Sequence, residues 1–224
     1  ERFDCSFYWC SPPFKSRLSY WCSPPLKGRV KQSAKGRREI FFLFFLRIEV
    51  DMIDYPNTNP YFYYVDEEYI NYLKEYETNK RNFTCVPNVH YWNTNKFIFG
   101  AVLNVNGMLY FAPISSYSKK QMNLILLKDK KGKVLGSIRF NYMIPVPNEC
   151  LHKLDINNLP TEQNRVHTSK ELAFCRRNRE KIYKLALKTY SRVTKGTDIL
   201  LKNNSCDFKL LEQAYTDYCK TNKI

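Results

Sequence analysis

The sequence has no apolar stretch long enough to cross a membrane. The strongly apolar run Ile40–Leu46 has seven residues, whereas a transmembrane helix needs about 20. A basic cluster precedes this run, as in a signal peptide, but the run begins some forty residues into the chain and charged residues follow it. We therefore expect no membrane partner, no export and a cytoplasmic location.

Cysteine and histidine patterns that hold metals or build disulfide frameworks are also missing. The chain has eight cysteines but no Cys-x-x-Cys pair, and its three histidines (His90, His152 and His167) have no ligand spacing. We expect reduced thiols, no metal and no cofactor. A secreted, disulfide-rich domain is the alternative, and fewer than eight titratable thiols in the native protein would reveal it.

The chain has few acidic residues for its basic content: 21 Asp and Glu against 36 Lys and Arg, which gives a formal net charge of +15. Aromatic residues make up 16% of the chain. Basic charge interleaved with Tyr and Phe suits single-stranded or folded RNA, whose bases can stack, better than a duplex groove. A merely solvated basic surface is the plainer interpretation.

The segment 96–120 predicts a β-hairpin at the centre of the fold. Phe97–Val105 and Met108–Ile114 are apolar, β-branched or aromatic, and Asn106–Gly107 suits a type I′ turn. Nearly continuous apolar strands are covered on both faces, so the hairpin is expected to be central. Antiparallel pairing brings Lys96 and the pair Ser115–Ser116 to the same end.

Other patterns predict an α+β fold with one core, because strands and helices are segregated along the chain. A strand is expected at 61–65, and Asp66 is expected to N-cap a helix to about Tyr76. The later elements are a hairpin (123–128 and 133–140), a segment leaving the sheet (142–147), a basic helix from about Ser169 to Lys195 that stops at Gly196, and a last helix (207–219).

Four separated motifs, in order, resemble the ToxN/AbiQ family of endoribonuclease toxins from bacterial type III toxin–antitoxin systems. They are Lys96–Leu103 with the Asn-Gly turn, Tyr110–Ser116, Leu135–Pro147 and Cys206–Leu211, and the resemblance covers about residues 61 to 220. It implies a strongly twisted antiparallel sheet, a partial barrel wrapped by helices, related to the Kid/MazF fold.

The resemblance also implies a function. It implies metal-independent cleavage of mRNA and of the antitoxin precursor, usually at adenine-rich sites, and a role in abortive infection against phage. It implies inhibition by repeat-derived RNA pseudoknots in a closed, cyclic toxin–RNA assembly.

By the same resemblance, the family's active-site lysine falls on Lys96 and its paired hydroxyl residues on Ser115 and Ser116. A second family lysine has no ungapped counterpart, since Ser118 stands there; Lys119 is the candidate substitute, and the choice between Ser118 and Lys119 stays open. A substrate-contacting tyrosine falls on Tyr91 or Trp92, and this choice stays open.

Without a metal, RNA cleavage uses the substrate's own 2′-hydroxyl to attack the neighbouring phosphorus, and the protein stabilises the charged transition state. Lys96 is expected to protonate the leaving group, with Ser115 and Ser116 as donors, and the basic neighbours Lys119, Lys120 and Arg139 favour a lowered lysine pKa. The residues predicted to bind RNA are Tyr91, Trp92, Lys120, Arg139, Arg176, Arg179 and Lys181. A non-catalytic RNA-binding module is the main alternative.

Residues 1–51 do not resemble a domain. Tyr8–Arg17 recurs as Tyr20–Arg29 with eight of ten positions identical, and this period of twelve residues corresponds to 36 nucleotides of DNA. A basic cluster and a phenylalanine-rich run follow, as expected for a translated hairpin-and-U-tract terminator. We therefore expect this segment to be translated upstream antitoxin repeats, Met52 to be the true start, and 52–224 to be the toxin domain; a genuine disordered or membrane-touching extension is the alternative.

Overall fold

The computed structural model describes residues 60–88 and 97–224 in full, and the strands at 53–54, 90–91 and 94–95 by their backbone alone. The strands are β1 (Ile53–Asp54), β2 (Tyr61–Val65), β3 (His90–Tyr91), β4 (Thr94–Asn95), β5 (Ile98–Val105), β6 (Met108–Ser115), β7 (Leu124–Lys128), β8 (Val134–Arg139), β9 (Ile144–Pro145) and β10 (Leu151–Lys153). The helices are α1 (Glu67–Arg81), α2 (Glu162–Arg177), α3 (Arg179–Thr194), α4 (Ile199–Asn203) and α5 (Phe208–Asn222). The predicted N-terminal extension, Trp92 and Lys96 lie outside the described residues.

One open sheet of eight antiparallel strands forms the centre of the molecule. Its order is β10-β2-β5-β6-β8-β7, with β1 on β5 and β9 on β6. The predicted central hairpin is confirmed: Val105 pairs with Met108 across a two-residue turn in which Asn106 and Gly107 have positive φ angles of 52° and 85°. A type I′ turn needs such angles, which Asn and Gly tolerate best.

The core lies between this sheet and the helices. Tyr69, Ile70 and Leu73 of α1 are fully buried, so the predicted apolar face of this helix is confirmed. Gly100 faces Phe111 across the β5–β6 pair, and a Cβ atom at Gly100 would lie 1.7 Å from the phenyl ring. Glycine therefore leaves room for this ring, which a side chain at position 100 would displace.

The prediction of one continuous basic helix from Ser169 to Lys195 is wrong. It is two helices, α2 and α3, and α2 begins earlier, where the Thr161 hydroxyl accepts from the Asn164 N–H at 3.1 Å. The break falls at Asn178, whose side-chain amide donates to the Phe174 carbonyl at 2.9 Å. An asparagine side chain that bonds the backbone competes with helix continuation. The predicted stop at Gly196 is confirmed by its φ of 64°.

The segment predicted to leave the sheet after Tyr142 instead pairs with it. Pro145 lies opposite Tyr110 and Ile144 opposite Phe111 on β6. Proline donates no hydrogen bond, but the N–H of Val146 donates to Leu109 at 3.1 Å. Strand β8 pairs with β6 only at Ile114 and Ser115. The edge of β6 at Tyr110 and Phe111 is therefore available to β9.

Smaller differences concern element ends. Helix α1 begins after its predicted N-cap Asp66 but continues past Tyr76 to Arg81, where Asn82 adopts a left-handed conformation that ends it. Strand β10 and helix α4 were not predicted. The second hairpin and the last helix form within a few residues of their predicted bounds.

The α+β class with an antiparallel sheet is thus confirmed. The five cysteines in the described ranges, which are Cys85, Cys150, Cys175, Cys206 and Cys219, are all free thiols. Among the described helices, none combines the length and the apolar character needed to span a membrane.

Candidate functional site

A cleft of about 330 Å³ opens where strands β6 and β8 end. Ser115 pairs with Ser137 at the last step of the β6–β8 ladder, so the serine predicted at the active site lies on the cleft wall next to Arg139. The lining residues are Thr84, Cys85, Val86, Pro87, Asn88, Phe97, Ile98, Pro113, Ile114, Ser115, Arg139 and Tyr142.

Arg139 is a cation held by aromatic rings rather than by an acid. Its guanidinium carbon lies 4.3 Å from the centre of the Tyr142 ring and 5.5 Å from that of Tyr117, and Nη2 donates to the Tyr142 hydroxyl at 3.2 Å. Its Nε is buried without a hydrogen-bond partner, and no ion pair links Arg139 to a carboxylate within the described ranges. Arginine presents five N–H donors in a planar fork that matches phosphate oxygens. The cleft therefore offers a fixed positive charge with free donors.

The two predicted serines differ in their surroundings. Ser115 is half-buried, and its Oγ accepts a hydrogen bond from the N–H of Tyr117 at 3.2 Å. This contact fixes the oxygen and leaves the hydroxyl hydrogen available for donation to a ligand. Ser116 is exposed just beyond the end of β6.

Several predicted site residues cannot be located in this cleft. Lys96 and Trp92 lie outside the described residues, although Phe97, next to Lys96 in sequence, lines the cleft. Tyr91 is described by its backbone alone, in β3, paired with Thr94. Lys119 and Lys120 are exposed in the loop after β6 and do not line the cleft.

The three basic residues predicted on the long helix are not brought together at this cleft. Arg176, at the end of α2, donates to the Pro60 carbonyl at 3.3 Å and lies 4.8 Å from the centre of the Tyr61 ring. It lines a second cleft of about 550 Å³ together with Lys153, whose Nζ is 3.7 Å from the same ring. Arg179 and Lys181 lie in the first turn of α3, beyond the break.

Sequence reasoning missed a buried acid behind the Ser115 strand. The Glu171 side chain on α2 is 4% exposed, and burial raises the pKa of this carboxyl to about 7. Its Oε1 would lie 2.8 Å from a Cβ atom at Gly136, and the Ser115 carbonyl would lie 2.9 Å from the same atom. His167, at 3.4 Å, is its ion-pair partner when protonated. A glutamate inside a predominantly basic helix gives no signal of this burial.

Tyr142, Tyr117 and the loop Thr84–Asn88 were also not assigned to the site beforehand. Tyr142 stands three residues after Arg139 in one of the motifs, and the turn Phe140–Tyr142 folds its ring back under the guanidinium. The loop follows α1 and reaches the cleft only through tertiary contacts.

Comparison with known protein families gives a match over most of the chain. The family described as toxin ToxN of type III toxin–antitoxin systems matches residues 61–216. Endoribonuclease ToxN of Pectobacterium atrosepticum is 32% identical over 171 residues, which are 71% of this chain and 94% of that protein. Endoribonuclease AbiQ of Lactococcus lactis subsp. lactis is 30% identical over 174 residues, covering 71% and 89%.

Solved structures give the same match in three dimensions. A structure from work on selective toxin inhibition by a non-coding RNA pseudoknot in bacterial type III systems has a TM-score of 0.64 and 27% identity, covering 72% of this chain and 98% of that one. The structure of AbiQ, a lactococcal anti-phage endoribonuclease, has a TM-score of 0.63 and 29% identity over 72% and 98%.

Proposed function

The chain belongs to the ToxN family of type III toxin–antitoxin toxins, so it is an endoribonuclease, and we propose that its active site is the cleft between Ser115 and Arg139. The observation that supports this site most directly is Arg139 itself. A guanidinium clamped by two tyrosine rings, with no acidic partner among the described residues, suits an anionic ligand.

Lys96 is proposed as the catalytic lysine at this cleft. Ile98 pairs with Pro113 in the antiparallel β5–β6 ladder. Lys96 directly precedes Phe97 in sequence, and Phe97 lines the cleft. In this proposal, the amine of Lys96 and the hydroxyl of Ser115 act at the same cleft.

The proposed reaction is transesterification within the RNA. The 2′-oxygen attacks the adjacent phosphorus and gives up its proton to solvent, the bond from phosphorus to the 5′-oxygen breaks, and Lys96 protonates that leaving oxygen. Arg139 and the hydroxyls of Ser115 and Ser116 stabilise charge on the non-bridging oxygens. The products are a 2′,3′-cyclic phosphate and a 5′-hydroxyl, and no metal takes part.

In this proposal, the remaining predicted residues bind RNA outside the cleft. Lys119 takes the place of the family's second lysine, Tyr91 or Trp92 stacks on a base, and Lys120 contacts phosphate near the cleft. Arg176, Arg179 and Lys181 contact RNA further away, since Arg176 belongs to the second cleft. Adenine-rich single-stranded RNA is the proposed substrate.

The partners follow from the relatives. One related toxin structure concerns inhibition by a non-coding RNA pseudoknot, and AbiQ is an anti-phage endoribonuclease. We propose that this chain is likewise held inactive by a repeat-derived RNA pseudoknot in a cyclic assembly, acts in the cytoplasm during abortive infection, and is related in fold to the Kid/MazF toxins through its antiparallel sheet.

Incubation of the purified protein with an adenine-rich oligoribonucleotide in EDTA, followed by end-group analysis, tests this function. Cleavage that persists in EDTA and leaves the cyclic phosphate is expected. Loss of cleavage on chelation would contradict the mechanism.

Lys96→Ala and Ser116→Ala separate an enzyme from a binding module. Both variants are expected to lose most cleavage while retaining most RNA affinity, measured by filter binding. A chain that binds RNA but has no cleavage to lose is the RNA-binding module instead.

A further inference from the structure

A fully buried carboxylate bonds residues that line the cleft without lining it itself. Glu77 of α1 has 0% exposure and accepts four hydrogen bonds, from Arg81 Nη1 (2.6 Å), Thr84 Oγ1 (2.7 Å), the Cys85 N–H (2.7 Å) and the Asp207 N–H (2.8 Å). A carboxylate has about four lone-pair sites, so these four donors satisfy it, and Arg81 balances its negative charge. Such complete pairing fixes the position of every partner.

The first wall of the cleft is attached to this carboxylate. Thr84 and Cys85, which both bond Glu77, begin the loop that lines the cleft as far as Asn88. The Thr84 hydroxyl also accepts from the Val86 N–H at 3.0 Å, so one side chain links Glu77 to the next turn of the loop. The same loop leads, along the sequence, to the segment that contains Lys96.

The part of the wall formed by Arg139 and Tyr142 is attached to the same carboxylate through the start of α5. Asp207 donates its N–H to Glu77, and the adjacent Cys206 N–H donates to the Asn141 carbonyl at 3.0 Å. Asn141 stands between Phe140 and Tyr142, in the short turn that directly follows Arg139, so this contact holds the turn that carries the supporting ring and adjoins Arg139. The Cys206–Leu211 motif thus has a role at the cleft that its distance in sequence conceals.

We propose that Glu77 is a positioning residue for RNA cleavage, which fixes the two walls of the cleft relative to each other through Thr84 and through Cys206–Asp207. This inference rests on the proposed function of that cleft. In-line attack requires the phosphate-binding and proton-donating groups to be held within fractions of an ångström, and a displacement of about 1 Å can cost about a hundredfold in rate. We expect loss of this positioning to lower the rate of the chemical step more than it lowers RNA affinity.

Thr84 gives a cleaner test than Glu77. Glu77→Gln removes the charge paired with Arg81 from a site without solvent, so lost activity in that variant does not separate positioning from unfolding. Thr84→Val keeps the shape of the side chain and removes only its hydroxyl, while Arg81, Cys85 and Asp207 still bond Glu77. Thr84→Ser restores the hydroxyl without the methyl group.

Thr189→Val is the matched control. Thr189 is 1% exposed, lies on α3, and donates its hydroxyl only along its own helix, to the Leu185 carbonyl at 2.8 Å. Loss of this hydroxyl also removes one buried hydrogen bond, but that bond joins two residues of α3 and involves no residue that lines the cleft.

The experiment uses the full chain and single-turnover cleavage of an adenine-rich oligoribonucleotide over a range of enzyme concentrations. Thr84→Val is expected to slow cleavage at saturation about tenfold or more with less than about a threefold change in half-saturation. Thr84→Ser is expected to recover most of the lost rate, and Thr189→Val to stay close to the unsubstituted chain. Unchanged cleavage in Thr84→Val, an equal loss in Thr189→Val, or no recovery in Thr84→Ser would overturn the inference. Absence of cleavage in the unsubstituted chain would overturn the proposed function, and this inference with it.

Discussion

Arg139 is fixed by shape as well as by charge, because its flat guanidinium lies over the Tyr142 ring at 4.3 Å and its Nη2 reaches the Tyr142 hydroxyl. A lysine at this position keeps the charge but loses the planar fork and the stacking.

We therefore expect Arg139→Lys to lower kcat/KM for RNA cleavage by roughly 10- to 100-fold, about 1.4–2.7 kcal/mol of transition-state stabilisation. Initial rates on one oligoribonucleotide measure this change. Arg192→Lys is the control, because Arg192 pairs with Asp198 away from the cleft and a lysine can keep that ion pair. Equal losses in the two variants would mean that Arg139 has no special part in cleavage.

Helix α2 places an acid with a raised pKa against the strand that ends at the cleft. Glu171 faces Gly136 and the Ser115 carbonyl on β8 and β6, and His167 and Cys175 on its own helix. Burial raises the pKa of Glu171 from 4.5 to about 7, so the native state keeps a proton that the unfolded chain releases between these values. The free energy of unfolding must then fall as the pH rises from about 4.5 to 7, and level off above that.

Glu171→Gln is expected to remove this dependence. The stability of the variant relative to the unsubstituted chain should rise by on the order of 2–3 kcal/mol between pH 4.5 and pH 8. Urea unfolding at the two pH values measures it. Glu180→Gln, at an exposed position of α3, is the control: its hydrogen bond and ion pair with Lys184 lower the pKa of the Glu180 carboxyl, so this variant cannot remove a fall in stability with rising pH. Parallel profiles for Glu171→Gln and the unsubstituted chain would disprove the buried acid as the cause.

At the scale of the whole molecule, the net charge of +15 governs how RNA is held. Each phosphate that a basic side chain neutralises releases counterions, with a slope of about 0.7 in log affinity per contact on a single strand. For about five contacts, we expect RNA affinity to fall about 100-fold between about 50 and 200 mM salt. Filter binding of an uncleavable 2′-deoxy substrate measures this, and a flat response would rule out phosphate contacts as the main source of affinity.

The extent of the toxin domain also belongs to this scale. The match to the Pectobacterium toxin uses 71% of this chain yet spans 94% of that protein, and the family match begins at residue 61. We expect residues 52–224 to cleave RNA as fast as the full chain, because the match leaves only a small part of the Pectobacterium toxin that could correspond to the repeats. A truncated chain that folds but cleaves at least tenfold more slowly would assign residues 1–51 a role in the enzyme.

The sequence by itself determined the local elements whose signals are short-range. The Asn106–Gly107 turn, the two apolar strands beside it and the end of α3 at Gly196 all formed as predicted, because backbone angles and side-chain alternation decide them within a few residues. It also predicted the family, since four motifs in order are themselves sequence patterns.

Only the tertiary structure decided which distant residues meet. Arg139 and Ser115 share a cleft, whereas Arg176 lines another, and Asn178 divides the continuous basic pattern into two helices. Burial made Glu171 an acid with a pKa near 7, and four donors from three segments of the chain converge on Glu77. Solvent exclusion and long-range hydrogen bonding depend on the packed fold, so no local pattern of residues could have predicted them.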